Sequence, residues 1–376
     1  MPKASKKINF SESPGPSLGV EVELALVDKQ TGALRSACPD LINALSKNDR
    51  EAAKPELMEC YVEINTDVCQ TVGEAHQQLW SQLKTVQSAA DTVGIDLLWS
   101  GTHPFSSWQN QQVSNKDRYN RIVSLLQDTA RQLVTFGLHV HVGVDSGDKA
   151  VMICDRILKH LPELLAASCN SPFWEGRDTG LCSWRTKVME GLPTAGLPPF
   201  MRNWSEYAWL INHLIDTGFI ETIREIWWDV RPHHNFGTVE IRICDMPGHL
   251  DDAMGLVAYV HCLVKHLSDA IDEGLYQHDC HPMLVRQNKW RAARYGLDAE
   301  LVDSITHELV PARKIISDTC DRFEEIAQEL NCVDELKEMK RFATETNWSQ
   351  RQLDQLNGNS DPQALVQWMV KQSRIG

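Results

Sequence analysis

The chain has 376 residues, 42% of them hydrophobic, with 37 Lys and Arg against 51 Asp and Glu for a formal net charge of −14. That composition fits a globular protein and argues against a broad electrostatic footprint for nucleic acid or an anionic membrane surface. The opening MPKASKKINF is basic but has no apolar run behind it, and no later stretch reaches membrane-spanning length, so a cytoplasmic protein that binds neither nucleic acid nor membrane is expected.

Leu18–Leu26 (LGVEVELAL) alternates at strand period, with Val20, Val22, Leu24 and Leu26 on one face and Glu21 and Glu23 on the other. Met58–Asn65 repeats the arrangement, setting Glu59, Tyr61 and Glu63 opposite Met58, Cys60, Val62 and Ile64. After Thr71, Gly73–Val93 carries Ala75, Leu79, Leu83 and Val86 at helical spacing. Ile95–Ser100 is a short apolar run before Gly101 and reads as a buried strand, followed by a helical pattern over Lys116–Val134. Leu138–Asp145 (LHVHVGVD) returns to alternation, with His139 and His141 opposite Leu138, Val140, Val142 and Val144; a helix is predicted over Lys149–Ala167. Ser171–Phe200 is rich in Gly and Pro and carries Arg177, Arg185 and Lys187. A structureless loop of that length is uncommon in a compact domain and tends to be functional or mobile. A helix over Trp204–Asp216 leads to Thr238–Cys244 (TVEIRIC), where Thr238, Glu240 and Arg242 face away from Val239, Ile241 and Ile243. Beyond residue 250 helices dominate, at Met254–Asp272, Leu301–Leu330 and Pro362–Gln372.

No linker, repeat or low-complexity tract divides the chain. One catalytic domain over 1–376 is expected, its sheet built from about 18–247 and its remainder, about 250–376, mostly helical. The order of elements predicts an α+β fold, with an antiparallel or mixed sheet covered by helices on one side. Any one polar-faced strand is explained by the wet side of an antiparallel sheet. Four of them, carrying Glu-x-Glu, His-x-His and Glu-x-Arg, make a wall that reads as an active site. Carboxylates crowded together raise their pKa values and share protons, or they hold a cation. Glu and His without a thiolate set favour a hard ion, Mg²⁺ or Mn²⁺, above all where phosphates add ligands.

The eleven cysteines include no C-x-x-C pair, which points to buried free thiols in a reducing compartment rather than a zinc or redox site. No phosphate-binding glycine loop is present, so a bound nucleotide would be held through metal and Arg or Lys on the sheet face. Neither a G-x-S-x-G elbow nor an H-E-x-x-H helix occurs, leaving hydrolase and metalloprotease readings without local support.

Six blocks, GVEVELALVDKQTG, PELMECYVEINTDVCQTVGEA, SGTHPF with DRYNRI downstream, LHVHVGV, WRTKVMEGLPTAGLPP and WWDVRPHHNFGTVEIRICDMP, stand in this order between about Gly19 and Pro247. In them the chain resembles the carboxylate-amine ligase family, also called glutamate-cysteine ligase type 2. The resemblance implies a glutamine-synthetase-like catalytic domain. Its curved, mainly antiparallel sheet would hold ATP and two or three Mg²⁺ ions on a polar concave face, with helices packed on the other. It also implies that ATP phosphorylates a carboxylate, typically the side chain of glutamate, to an acyl phosphate that an amine such as cysteine converts to an amide. By matching motifs, Glu21, Glu23, Glu56, Glu63, His139 and Glu240 form the metal set, and Arg242 is the phosphate contact. Glu56 is out of phase with Glu59 and Glu63 and would reach the face from a bend or a strand start.

Arg185 is the candidate clamp for a substrate carboxylate or phosphate, and Arg118 with Tyr119 and Arg231 with His233 are candidates at the nucleotide. His141 is a further ligand or a partner to one, and Asp229 a supporting residue. The amine stays open, with Trp184, Trp204, Trp227 and Trp228 available to shape its pocket or to pack the core. Rival readings are a ligase for another amine, a kinase of guanidino compounds on the same fold, a non-catalytic nucleotide- or metal-binding protein, and a zinc protein. A homodimer is the default oligomer.

Overall fold

Alternating segments scattered over more than two hundred residues converge in one sheet. The structure, a computed structural model, describes residues 8–13, 15–275, 280–358 and 361–376. Seven strands make the sheet: β1 (Leu18–Asp28), β2 (Lys54–Pro55), β3 (Tyr61–Asn65), β4 (Ile95–Leu98), β5 (Gly137–Gly143), β6 (Val230–His233) and β7 (Thr238–Asp245). Their order is β6-β7-β5-β1-β3-β2, with β4 beside the second half of β1, and every pairing is antiparallel. β1 is the hub. Glu21 pairs with Asn65 on one edge and His139 on the other, and Ala25 pairs likewise with Tyr61 and Leu98.

One face of this sheet is dry. Val20, Val22, Leu24, Val62, Ile64, Val140, Val142, Val239 and Ile241 are all buried, and each such side chain stabilises the fold by about 1.5–3 kcal/mol relative to exposure. Helices α1 (Val72–Thr92) and α5 (Leu250–Asp272) pack against the sheet and each other; between them in sequence come α2 (Asp117–Leu126), α3 (Gly147–Ile157) and α4 (Leu161–Ser168). α1 begins where the sequence predicts, because Thr71 Oγ1 accepts from the Glu74 amide at 3.1 Å while Glu74 reaches back to the Gln70 amide at 2.7 Å.

The departures from expectation have local causes. β3 starts at Tyr61 rather than Met58, because the Glu59 amide and carbonyl bond Gln112 and Cys38 instead of β1. Glu56 sits just past edge strand β2, neither on β3 nor at its start. The helix over Lys116–Val134 breaks at Gln127, whose φ of 51° no helix tolerates. Lys149–Ala167 divides into α3 and α4 around a 3₁₀ turn at Leu158–His160, with Pro162 in the first turn of α4. Leu301–Leu330 opens on a hairpin, Glu300–Val302 against Leu309–Pro311, turned by Asp303 Oδ1 accepting from the amides of Ile305 and Thr306; helices follow only at Ala312–Arg322 and Glu324–Glu329. The segment Ser171–Phe200 is not structureless, for it holds a two-residue-strand hairpin and a helix over Arg185–Met189.

Helices unmarked in the sequence reading complete the C-terminal part, among them α6 (Pro282–Tyr295) and α7 (Val333–Arg341). α7 lies on α5 at Gly255, where a Cβ would come within 2.8 Å of the Met339 backbone nitrogen. Replacing Gly255 with Val should therefore destabilise the protein by about 1–3 kcal/mol, read from the urea midpoint. An unchanged midpoint would show that α7 is not seated there.

Candidate active site

The antiparallel register places the polar residues of four strands on the face opposite the core. Glu23 pairs across from Glu63, Glu21 from His139, and Glu240 from His141. With α2 and the β2–β3 connection as walls, this face floors a cleft of about 430 Å³ lined by all four of these glutamates, both histidines, Glu56, Arg118, Tyr119, Arg231, His233 and Arg242. Twelve of the fourteen candidate site residues, counting His141 and Asp229, thus meet in one cavity. Arg185 and Asp229 lie behind it. Glu59 does not line the cleft.

Two clusters of metal-ligating atoms share Glu21. Glu21, His141 and Glu240 offer ligand atoms all within 4.8 Å of one another, and so do Glu21, Glu63 and His139. Glu21 Oε2 lies 3.2 Å from His139 Nδ1 and its Oε1 lies 3.5 Å from His141 Nε2. Burial would raise the Glu21 carboxyl, but hydrogen bonds and charge from the two histidines hold it well below the usual range. Glu63 goes the other way. Burial, reinforced by the neighbouring charges of Glu21, Glu56 and Glu23, pushes it well up. A carboxylate so placed takes a proton or a cation. Nε2 of His139 is buried with no hydrogen-bond partner, and Nε2 of His141 faces Glu21 at 3.5 Å and Glu240 at 3.8 Å, an arrangement that fits a hard divalent ion drawing on carboxylate oxygen and imidazole nitrogen.

Glu23 and Glu56 stand beside these clusters without belonging to either. Glu23 accepts from the Gly137 amide at 2.7 Å, and Glu56 lies 3.5 Å from the Tyr119 hydroxyl; burial raises both carboxyls. Glu240 is 1% exposed and heavily paired. Arg231 donates to it from Nε at 2.6 Å and from Nη2 at 3.1 Å, and Arg242 Nη1 also donates to it. Although burial opposes ionisation, these guanidinium groups hold Glu240 well below its ordinary range. The remaining Arg231 nitrogen, Nη1, donates to the carbonyls of Ile223 and Ile226. Its guanidinium is thus committed to holding Glu240 and the turn before β6, which leaves it little to offer a nucleotide.

Arg242 is aimed by a bulge. The β5–β7 register slips between Ile241 and Cys244, the Arg242 amide bonds the Asp229 carbonyl at 2.8 Å, and Arg242 Nη1 lies 3.4 Å from His139 Nδ1. Its Nε is buried without a partner. Asp229 in turn receives the buried Lys289 at 2.5 Å. Arg185 comes from the short helix Arg185–Met189, whose first amide bonds Ser171 Oγ, itself a donor to buried Asp245 at 2.6 Å. The Arg185 guanidinium crosses Gly137, where a Cβ would lie only 2.3 Å from Nη2, so glycine alone lets it through. It donates to the Arg242 and Ile243 carbonyls at 3.3 Å, and its Nε is also unpartnered. Arg185 and Arg242 together face a small cavity of about 50 Å³, walled by Leu57, Tyr61, Ile122 and Leu133.

At the cleft mouth Arg118 and Lys116 lie over the Tyr119 ring, and Arg118 Nη2 donates to the Arg224 carbonyl. His233 stacks on Phe236 with ring centres 4.1 Å apart, and burial pushes its imidazole down to about 3. Sequence reasoning missed Asn65 and Phe236 in the cleft lining. Alternation past Glu63 marks Asn65; Phe236 sits in a turn, where no periodicity speaks. Of the tryptophans considered, Trp227 reaches the cleft, while Trp204 packs on Gly147, Phe10 and Tyr207.

Residues 17–367 match the model of glutamate-cysteine ligase family 2. The chain belongs to that family. A Gloeobacter violaceus member named "Putative glutamate--cysteine ligase 2" is 42% identical over 347 residues, covering 92% of this chain and 93% of that protein. A Frankia alni relative of similar name is 43% identical over 337 residues, covering 89% and 88%. Among solved structures, glutamate–cysteine ligase of Francisella tularensis in complex with AMP superposes with a TM-score of 0.72 at 13% identity, covering 98% of this chain and 89% of that one. A bifunctional glutathione synthetase from Pasteurella multocida gives 0.69 at 14% identity, covering 95% of this chain and 52% of that one. At such identities the two structures establish the fold. Family membership makes the protein an ATP-dependent ligase. Among the described residues, no helix is long and apolar enough to cross a membrane.

The Glu240 pairing generates a stability test. Arg231→Ala should cost about 3–5 kcal/mol by urea denaturation, since it strands a buried carboxylate. A double variant that also carries Glu240→Gln should recover part of that loss.

Proposed function

We propose that the protein phosphorylates the side-chain carboxylate of glutamate with ATP, giving γ-glutamyl phosphate and ADP, and that the amino group of cysteine then displaces phosphate to form γ-glutamylcysteine. The observation that carries this reading is the pair of Glu/His clusters sharing Glu21, set in one cleft beside two arginines whose Nε atoms are buried and unpartnered. Glu21, Glu63, His139, His141 and Glu240 would hold Mg²⁺, with Glu23 and Glu56 alongside as further carboxylates. Bound there, Mg²⁺ supplies positive charge to the phosphates of ATP.

The chain's own groups account for the rest. Arg242, held against Glu240 and within reach of His139, presents fixed positive charge where negative charge grows on the transferring phosphoryl group. Arg185 offers its Nε to a carboxylate of the substrate in the cavity behind, fixing that substrate's position before reaction. The apolar walls of that cavity keep water from an acyl phosphate that would otherwise hydrolyse. Arg118 and Tyr119 stand at the mouth as nucleotide contacts, and Arg231 acts through Glu240 as a positioning residue.

ATP as phosphoryl donor is supported by the AMP in the Francisella tularensis structure, and cysteine as acceptor by the names of the relatives. The reading of 1–376 as one catalytic unit is supported by a large buried cluster that runs from Leu18 to Met369, beside a smaller one around Tyr207 and Trp228. A reducing, cytoplasmic setting accords with eleven free cysteines, all but Cys182 buried.

The test is ADP release from ATP, Mg²⁺ and L-glutamate, with and without L-cysteine or other amines, and products read by mass. ADP with γ-glutamylcysteine is expected; ADP with a phosphorylated product and no amide would replace the ligase reading by a kinase, and no ADP with any pair would overturn it. Glu21→Gln should lower turnover by about a hundredfold or more, since it removes the carboxylate common to both clusters. Chelation with EDTA should stop the reaction and added Mg²⁺ restore it.

A further inference from the structure

At the end of the cleft beyond His141 three rings meet, those of His141, His233 and Phe236. Phe236 lines the cleft and is 55% exposed, an unusual state for a phenyl ring beside so many ionisable groups. Its inner face is taken. His233, 5% exposed, stacks on it with rings inclined by 16°, and His141 meets both rings edge-on, 5.5 Å from His233 and 5.7 Å from Phe236. The outer part of the Phe236 ring is left open toward the cleft, and His233 Nδ1 is buried with no hydrogen-bond partner.

The turn that presents Phe236 is rigidly held. The amides of Phe236 and Gly237 both bond the His233 carbonyl, at 3.1 and 3.0 Å, and the Val144 amide bonds the Gly237 carbonyl at 2.9 Å. The segment before β1 clamps the turn from outside, through the Ser11 amide on the His234 carbonyl at 2.8 Å. Gly237, at φ 68°, would drive any Cβ to within 1.9 Å of the Ser11 carbonyl oxygen. A ring so fixed surrenders little freedom when a flat ligand settles on it.

Contacts also give an order along the cleft. Phe236 touches His141; His141 belongs to the first ligand cluster; Glu21 joins that cluster to His139; His139 touches Arg242; and Arg242 borders the cavity of Arg185. Flat aromatic surface, cation ligands and guanidinium groups follow one another. A nucleoside triphosphate has the same sequence of parts, with its base at one end and its reacting phosphate toward the other, next to the group it phosphorylates.

We propose that Phe236, backed by His233, is the stacking platform for the nucleobase of the bound ATP, which orients the γ-phosphate toward Arg242 and Arg185. This assignment rests on the ATP-dependent reading of the cleft and adds the direction in which ATP lies. Stacking on one face needs no base-edge hydrogen bond, so the platform accounts for affinity for a nucleoside rather than for a chosen base.

Calorimetry of wild type, Phe236→Ala and Phe236→Trp with ATP and with inorganic tripolyphosphate, each with Mg²⁺, tests it. Wild type should bind ATP more tightly than tripolyphosphate. Phe236→Ala should weaken ATP binding by roughly ten- to a hundredfold and leave tripolyphosphate unchanged, and Phe236→Trp should restore ATP. Phe236→Leu, which keeps bulk without a π face, should behave as the alanine variant does and covers the case in which alanine fails to fold. ATP binding unaffected in the alanine and leucine variants, or equal losses for ATP and tripolyphosphate, would overturn the platform while leaving the ligase reading intact. Wild type that binds neither ligand would overturn the ATP reading and the platform with it.

Discussion

Everything in the cleft depends on one electrostatic conflict, the gathering of several glutamate side chains onto one buried sheet face. Left alone, such a set would be resolved by protonation, and burial does push Glu23, Glu56 and Glu63 in that direction. Glu21 and Glu240 escape because each has cationic or hydrogen-bonding neighbours, His139 and His141 for the one, Arg231 and Arg242 for the other. The face is therefore split between carboxylates that are already charged and carboxylates that become so when a cation arrives.

Holding that conflict in place is the task of the rest of the molecule. β1 sits between β3 and β5, so the central carboxylate, Glu21, is fixed by strands on both edges. Beneath it the apolar side of the same strands packs on α1 and α5, and the C-terminal helices cover those in turn. The arginines arrive by less regular routes. A bulge redirects Arg242, a glycine opens the way for Arg185, and buried Asp245 at the end of β7 anchors the loop that carries it. The two arginines are thus tied to the strand that bears Glu240, and an error in one would shift the others.

Much of this was legible in the chain. Period-two alternation is a local property, so Glu21, Glu23, Glu63, His139, His141, Glu240 and Arg242 could be assigned to polar faces before any pairing was known. Helices with a marked cap, such as the one following Thr71, were equally plain. Less plain were stretches where apolar spacing continues across a break. Gln127 and the hairpin before Ala312 interrupt helical patterns through one backbone angle or one side chain's bonds, which periodicity averages away. Glu59 shows the opposite failure, for it has the right phase but its backbone bonds leave β1 and its side chain misses the cleft.

By itself the sequence determined which residue types face together and, through the order of its motifs, the family to which the chain belongs. Only the tertiary structure decided which carboxylates cluster with which histidines, that Arg231 pairs with Glu240, and that a turn phenylalanine lines the cleft. The physical reason is range. Side-chain alternation is dictated by the geometry of adjacent peptide units, whereas the distances between Glu21, His141 and Glu240 depend on strand register across segments more than two hundred residues apart in the chain.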